Sequence, residues 1–568
     1  MAAVANEKVS LSLPRWAVCV SPTSQCLARR RAVFFAVLVL AIASPQLPSA
    51  RGANLDEMSL TRWAKLREVE RYQLKIAEKY YREKNYKVAL AEYEKFLTLY
   101  ERSEGAPFSQ LKWSLCQVQL RKLNTAVKEG FQSVIDYWPD SPDAVKAAYF
   151  IGKSYKDMGD IKNAKLAYAD VLEKHPKHLI VVYATTDLID ISRIEEDVES
   201  RVELWSRLTF DVKRVKESKR LCVEASEQLA THYFQEAGLA EAVKALATSY
   251  TEQEIPHEIV TLARRPLEEL TAKDETRAEG VKLADEAIAW IRSRIPAEPG
   301  DEQMKNRAQS HWYFMADLLV ASRRHDEVPD FYAQIMQKFG TDDDTLGRFA
   351  AWHKSRKQYD RAREQYAKYA NKIEGQNQIG LSHRDQKNYD AAVGAFRRNL
   401  SLDPENQVQW NYMVAHTYHY YARKYKEAIA IYEELFKSDL DATDRWLWQI
   451  ATAYRDWGRH KQAIAYYRQC NNFPANYSEM AQCHRRLKEY GEAIILYNQI
   501  IGGDPKSAPS ALLQIGHTHE QAGQREKAIQ AFQQVCKRYP KDRYASVAHA
   551  YLQDKYKISV TLGGATDE

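Results

Sequence analysis

The chain has 568 residues, 45% of them hydrophobic and 28% charged, with a mean hydropathy of −0.57: enough apolar side chains to build a core, and enough charge to keep the body of the chain in water. A net charge of +6 is scattered along the length with no lysine- or arginine-rich block, which argues against nucleic acid as a partner. The 35 tyrosines outnumber the 16 phenylalanines, a balance suited to an elongated fold whose large side chains are half buried with a wet polar tip.

At the N-terminus, Arg29, Arg30 and Arg31 precede an apolar run over residues 32–43. Ser44, Pro45 and Pro48 break the run, and small residues follow at Ser49, Ala50, Gly52 and Ala53. A positive region, a short apolar region and a small-residue region together describe a secretory signal. The run is well short of the roughly 20 residues a spanning helix needs. Residues 1–52 are therefore expected to be a signal peptide, or an N-terminal anchor if retained, and the chain is expected in a periplasm or cell envelope. Membrane association is expected through this segment alone. No cysteine follows the run within reach, so a lipid-anchored lipoprotein is not expected.

Beyond it the chain repeats. Ile151, Gly152, Tyr155, Gly159, Ala164, Tyr168 and Pro176 recur in one frame as Ile515, Gly516, His519, Gly523, Ala528, Phe532 and Pro540. The frame also fits Ile379, Gly380, His383, Tyr389, Ala392, Phe396 and Pro404, and again the stretches around Ala451 with Ala463 and Ala481 with Ala493. The physical reading is a helix pair. A small residue in the first helix and an alanine in the second sit where the helices cross closely. An aromatic four residues after that alanine shares its face, and a proline stops the second helix.

This spacing resembles the tetratricopeptide repeat. The resemblance implies an all-α, right-handed superhelical solenoid of antiparallel helix hairpins, about thirteen of them, closed by a C-terminal capping helix. The frame divides the chain into an N-terminal block at 58–176, a divergent helical segment at 177–340, a C-terminal block at 341–540, a capping helix at 541–557 and a flexible tail at 558–568. Within the divergent part, residues 254–266 and 295–300 read as loops or bends. The Pro139-Asp140-Ser141-Pro142 and Asp504-Pro505-Lys506-Ser507 openings, with the signal, are similar to repeat proteins of bacterial envelopes, such as the Tol-Pal accessory protein and the barrel-assembly lipoprotein.

The sequence holds no GxGxxG, P-loop, GxSxG or HExxH pattern, so no catalysis, metal or cofactor is expected. Five cysteines remain after the signal (Cys116, Cys222, Cys470, Cys483 and Cys536), at spacings that read as small buried hydrophobes; a Cys470–Cys483 pair is the alternative. His383, His484 and His519 stand where the repeat usually has tyrosine and read as packed rings. Acids at Glu195-Glu196 and Asp342-Asp343-Asp344 read as helix starts.

In this family the first helix of each hairpin lines the concave face. Carried onto this chain, the position four residues after the small residue reads Lys354, Arg384, His419, Arg455 and Arg485, with Arg486 adjacent, and Tyr412, Tyr420 and Trp448 on the same surface. Cations interleaved with aromatics suit an acidic peptide or protein partner. The expected function is an exported scaffold for protein–protein interactions. The alternative is an assembly or export factor for envelope polysaccharide or outer-membrane components, with the repeats binding a synthase or a glycan.

Overall fold

The computed structural model describes residues 55–296 and 300–560. The expected signal, residues 1–52, and the end of the tail lie outside the described residues. What is described is all-α, and consecutive helices pack on one another as antiparallel pairs. Thirteen hairpins follow one another among the described residues, from Glu68–Arg82 with Tyr86–Leu99 to Ala508–Gln521 with Arg525–Arg538. The helix Arg543–Tyr551 then covers the last hairpin, burying Ala545 and Ala548, and Ile558 and Val560 beyond it lie against the same apolar cluster.

The small residues do what their spacing implies. A Cβ on Gly380 would come within 2.5 Å of the Phe396 ring, and one on Gly152 within 2.7 Å of Tyr168. In the hairpins that cross at Gly152, Gly380 and Gly516 the aromatic of the second helix thus lies against the bare crossing point of its own first helix, and Ala392, Ala463 and Ala528 are fully buried. Second helices stop before Pro176, Pro404, Pro505 and Pro540, as residues preceding proline disfavour helical backbone.

The turn within most hairpins has one construction; that between Ile255–Leu270 and Arg277–Arg292 lacks it. In the twelfth, Ala475–Arg486 with Tyr490–Gly503, Lys488 takes a left-handed conformation (φ 64°), its N–H reaches the Arg485 carbonyl at 3.1 Å, and the Glu489 N–H reaches the His484 carbonyl at 2.9 Å. Gly159, Lys357, Lys387, Gly458 and Gly523 occupy the same left-handed place. Of the three histidines that stand for tyrosine, His484 and His519 brace these turns, bonding Glu489 and Gln524 at 2.7 Å, as His353 does Gln358 at 2.8 Å; the Nδ1 of His383 has no hydrogen-bond partner among the described residues.

Hairpins are tied to each other by acids and tryptophans. Trp410 and Trp446 each donate an indole N–H to the aspartate that ends the preceding second helix, Asp403 at 3.0 Å and Asp439 at 2.9 Å. Asp343 accepts from the backbone of Ala370 and Asn371 ahead of the next hairpin. Asp342 caps its helix start as expected, accepting from the Thr345 N–H. Glu195 differs: it stands at the C-terminal end of Ile180–Ile194 and pairs with Lys165, and Asp197 caps the following helix.

Residues 254–266 are not a loop. They belong to the helix Ile255–Leu270, with Ile259, Ala263 and Leu267 on its buried side. Pro256 sits in the first turn, where no N–H is needed, and the helix continues through Pro266, which is buried. This helix belongs to the largest apolar cluster, which runs from Val182 to Trp352. The five cysteines are free and buried. Burial pushes the Cys470 and Cys483 thiols up to about 12.

Candidate functional site

The position four residues after each crossing point lies on the line where neighbouring first helices meet. A polar side chain there is partly dehydrated and needs a partner. It finds one on the next first helix every time. Lys354 pairs with Asp385 at 2.9 Å, and the Arg384 guanidinium lies 4.6 Å from the ring centre of Tyr421. His419 Nε2 meets Asp456 at 3.1 Å, and Arg455 reaches Glu479 at 2.5 Å and Asp456 at 2.9 Å. Arg485 donates to Gln514 at 2.7 Å and to Gln521 at 3.1 Å. The line ends on Glu520, which takes Lys555 at 2.8 Å and the hydroxyls of Tyr551 and Tyr556 at 2.6 and 2.5 Å from the capping segment. In the third hairpin, Pro142–Asp157 with Ile161–Lys174, Lys156 makes the same reach to Asp187 at 2.7 Å and Asp190 at 3.0 Å.

These rungs are charge-assisted and polarise one another. Burial works against the Arg455 guanidinium, yet Tyr467, Glu479 and Asp456 hold its pKa above the ordinary value. Burial likewise opposes the Glu520 carboxylate, and the bonds from Lys555, Tyr551 and Tyr556 outweigh it, bringing its pKa down to about 2.

The expected ladder therefore exists in one register, but it does not stand free. Lys354, Arg384, Arg455 and Arg485 clasp adjacent hairpins instead of facing solvent unpaired. His419 departs furthest from an outward position: it is 1% exposed, within a π-helical turn Thr417–Ala422, with the Tyr420 ring stacked on it at 3.9 Å. Tyr412 is half buried under Arg445, whose guanidinium lies 4.7 Å from its centre. Trp448 is half buried, edge-on to Tyr467 at 5.0 Å. Tyr420 is exposed and reaches Gln449 at 3.4 Å. The receiving acids and amides are functional positions that the spacing of the cations alone does not mark; they recur five residues after a crossing point or two before it.

Two further cations stand beside this line. Arg486 and Lys488 are exposed and make no ion pair among the described residues. With Gln482, Arg485, Tyr490 and Gln521 they line a cleft of about 420 Å³ in which no carboxylate takes part.

Models of the tetratricopeptide repeat match residues 147–178 and 510–542, and a second such model matches residues 417–476. The chain carries tetratricopeptide repeats. The matched spans fall on the third, tenth, eleventh and thirteenth hairpins, which include the His419, Arg455 and Glu520 rungs. No curated protein matches the chain. Among solved structures it is similar to the crystal structure of yeast Tom70, at 16% identity over 86% of this chain and 98% of that one, with a TM-score of 0.27. It is also similar to the Cut9 and Hcn1 hetero-tetramer of the APC/C, at 14% identity over 87% and 99%, with a TM-score of 0.23. A third is Naa15/Naa10 bound to HypK-THB, at 13% identity over 85% and 78%, with a TM-score of 0.39. The tetratricopeptide repeats support a protein–protein interaction scaffold.

Proposed function

We propose that the chain is an exported scaffold of the cell envelope that docks an acidic peptide or protein segment in the cleft at Arg486 and Lys488. The observation that carries the docking is the unpaired charge. Every cation on the rung line already has a partner, whereas these two, beside the polar tips of Gln482 and Gln521, make no ion pair among the described residues. An incoming carboxylate would find charge-assisted donors with no internal acid to displace. The export half of the reading rests on the arginine-led apolar run ahead of residue 53.

The test begins with capture of partners by the chain purified from its native envelope, with its N-terminus sequenced. A terminus near residue 53 is expected; an intact Met1 in a cytosolic fraction would remove the export reading. On a captured partner, Arg486→Glu with Lys488→Glu should weaken binding by about tenfold or more, with an unchanged melting temperature and a loss that shrinks in added salt. Lys461→Glu with Lys527→Glu, on exposed second-helix faces, should leave binding alone. If both pairs act alike, the cleft is a solvated surface and the docking reading fails.

A further inference from the structure

Each rung has a receiving end. Counted from the crossing residue of the receiving helix, the groups stand two residues before it (Glu479, Gln514) or five after it (Asp385, Asp456, Gln521). Where the donating residue is a cation, the receiver is an acid, an amide or a ring. A lysine receives in two places: Lys555 from the acid Glu520, and Lys112 beside the ring of Tyr81, 3.4 Å from its centre. The charge of a receiving position thus reports the chemistry of what packs on it.

The first hairpin crosses at Ala77, and its two receiving positions are Lys75 and Arg82. No preceding hairpin covers them among the described residues. Only the short helix Leu60–Lys65 lies there, leaving a groove of about 870 Å³ between it and the helix Glu68–Arg82. Met58, Trp63 and Ile76 form its accessible apolar lining over the buried Phe108, and Leu60 and Tyr72 on its rims are 86% and 69% exposed. Lys75 makes no ion pair among the described residues, and Arg82 comes no nearer than 4.0 Å to Glu78. Glu78 itself is engaged by Lys112 and by the Tyr93 hydroxyl. Among the described residues the groove is thus a rung without a donating helix; its two receiving positions are cationic, although Glu57, Glu78 and Glu83 also line it.

We propose that this groove docks an amphipathic helix of another protein, its apolar stripe against Trp63, Tyr72 and Ile76 and an aspartate or glutamate facing Lys75 and Arg82. A second copy of the chain is a poor fit. Of its rung residues described in the C-terminal block only Glu520 has the required sign, and the capping helix already covers it. This surface is at the opposite end of the array from the Arg486 cleft and does not depend on it.

The test uses the full chain and two labelled helical peptides of about 20 residues, long enough to hold a helix. One carries leucines at i, i+3, i+4 and i+7 with glutamates on its flanks; the other has lysine for each glutamate. Fluorescence anisotropy should show the glutamate peptide binding at least about tenfold more tightly. Lys75→Glu with Arg82→Glu should reverse that preference, Tyr72→Glu should weaken both peptides, and Arg486→Glu with Lys488→Glu should change nothing. All these side chains are exposed, so melting temperatures should stay level. Equal affinity for the two peptides, no binding of either, or a preference untouched by the charge reversal would overturn the proposal. So would a photo-crosslinker placed at Tyr72 that couples to residues 1–54 of the same chain or to a second copy; coupling to the glutamate peptide would support it.

Discussion

Gly380 is bare because the Phe396 ring needs its space, and the ring has nowhere else to go, being fully buried. Gly380→Ala should overpack the crossing and cost about 1–3 kcal/mol. Gly394, on the second helix of the same hairpin, meets nothing within 4 Å, so Gly394→Ala should be neutral or stabilise by up to about 1 kcal/mol through helix propensity. Urea titration of the two variants separates packing from propensity; similar effects would mean the ring does not rest on Gly380. Residue identity made this crossing legible, since a small residue followed twelve positions later by alanine and then by an aromatic suits little besides two helices in close contact. The rung cations were legible as a series but not in their bonding. Arg455 read alone is a surface arginine; Arg455 read with Glu479, two residues before the next crossing, is half of an inter-hairpin pair.

Among elements, the hairpin turn shows how backbone geometry constrains sequence. Lys387 holds φ 63° and Gly523 φ 76° at equivalent places, and left-handed backbone crowds a Cβ that glycine lacks. Lys387→Gly should therefore stabilise by up to about 1 kcal/mol, and Gly523→Ala should destabilise by about as much. Thermal melts of both decide it, and a loss of stability in Lys387→Gly would mean that the lysine side chain contributes more than the strain costs. The tenth hairpin shows why spacing alone was an imperfect guide. Thirteen residues separate Ala415 from Ala428 where twelve separate Ala451 from Ala463. The extra residue is taken up in the π-helical turn Thr417–Ala422, which seats His419 against Tyr420 and Asp456 instead of in solvent. Periodicity also failed at residues 254–266, which read as a loop or bend but lie in the helix Ile255–Leu270: Pro256 is in its first turn, where no N–H is needed, and the helix continues through Pro266.

At the scale of the whole molecule, two protonation events should loosen the array at different places. Burial, with Arg384 and His419 nearby, holds the His416 imidazole down to about 4. An unfolded histidine takes its proton near pH 6.5, so the stability tied to His416 is full above that value and drains as pH falls towards 4. Glu520 runs on the carboxylate side of the same relation. With its pKa at about 2, its contribution is full above the ordinary carboxylate value and is lost as pH falls towards 2. Hydrogen exchange across a pH series should thus show the tenth hairpin loosening first and the capping helix last. His416→Gln should flatten the first transition and Glu520→Gln should detach the cap even at neutral pH. One cooperative transition, unmoved by either substitution, would contradict the assignment.

The line of rungs along the first helices also gives the array a mechanical grain. Each rung joins only neighbours, and all of them lie along one side. Straightening that spreads the first helices must break charge-assisted bonds one junction after another. Pressing the same helices together breaks none and is resisted by side chains already in contact. The rungs thus act as a row of stops against opening, each junction limited by its own pair.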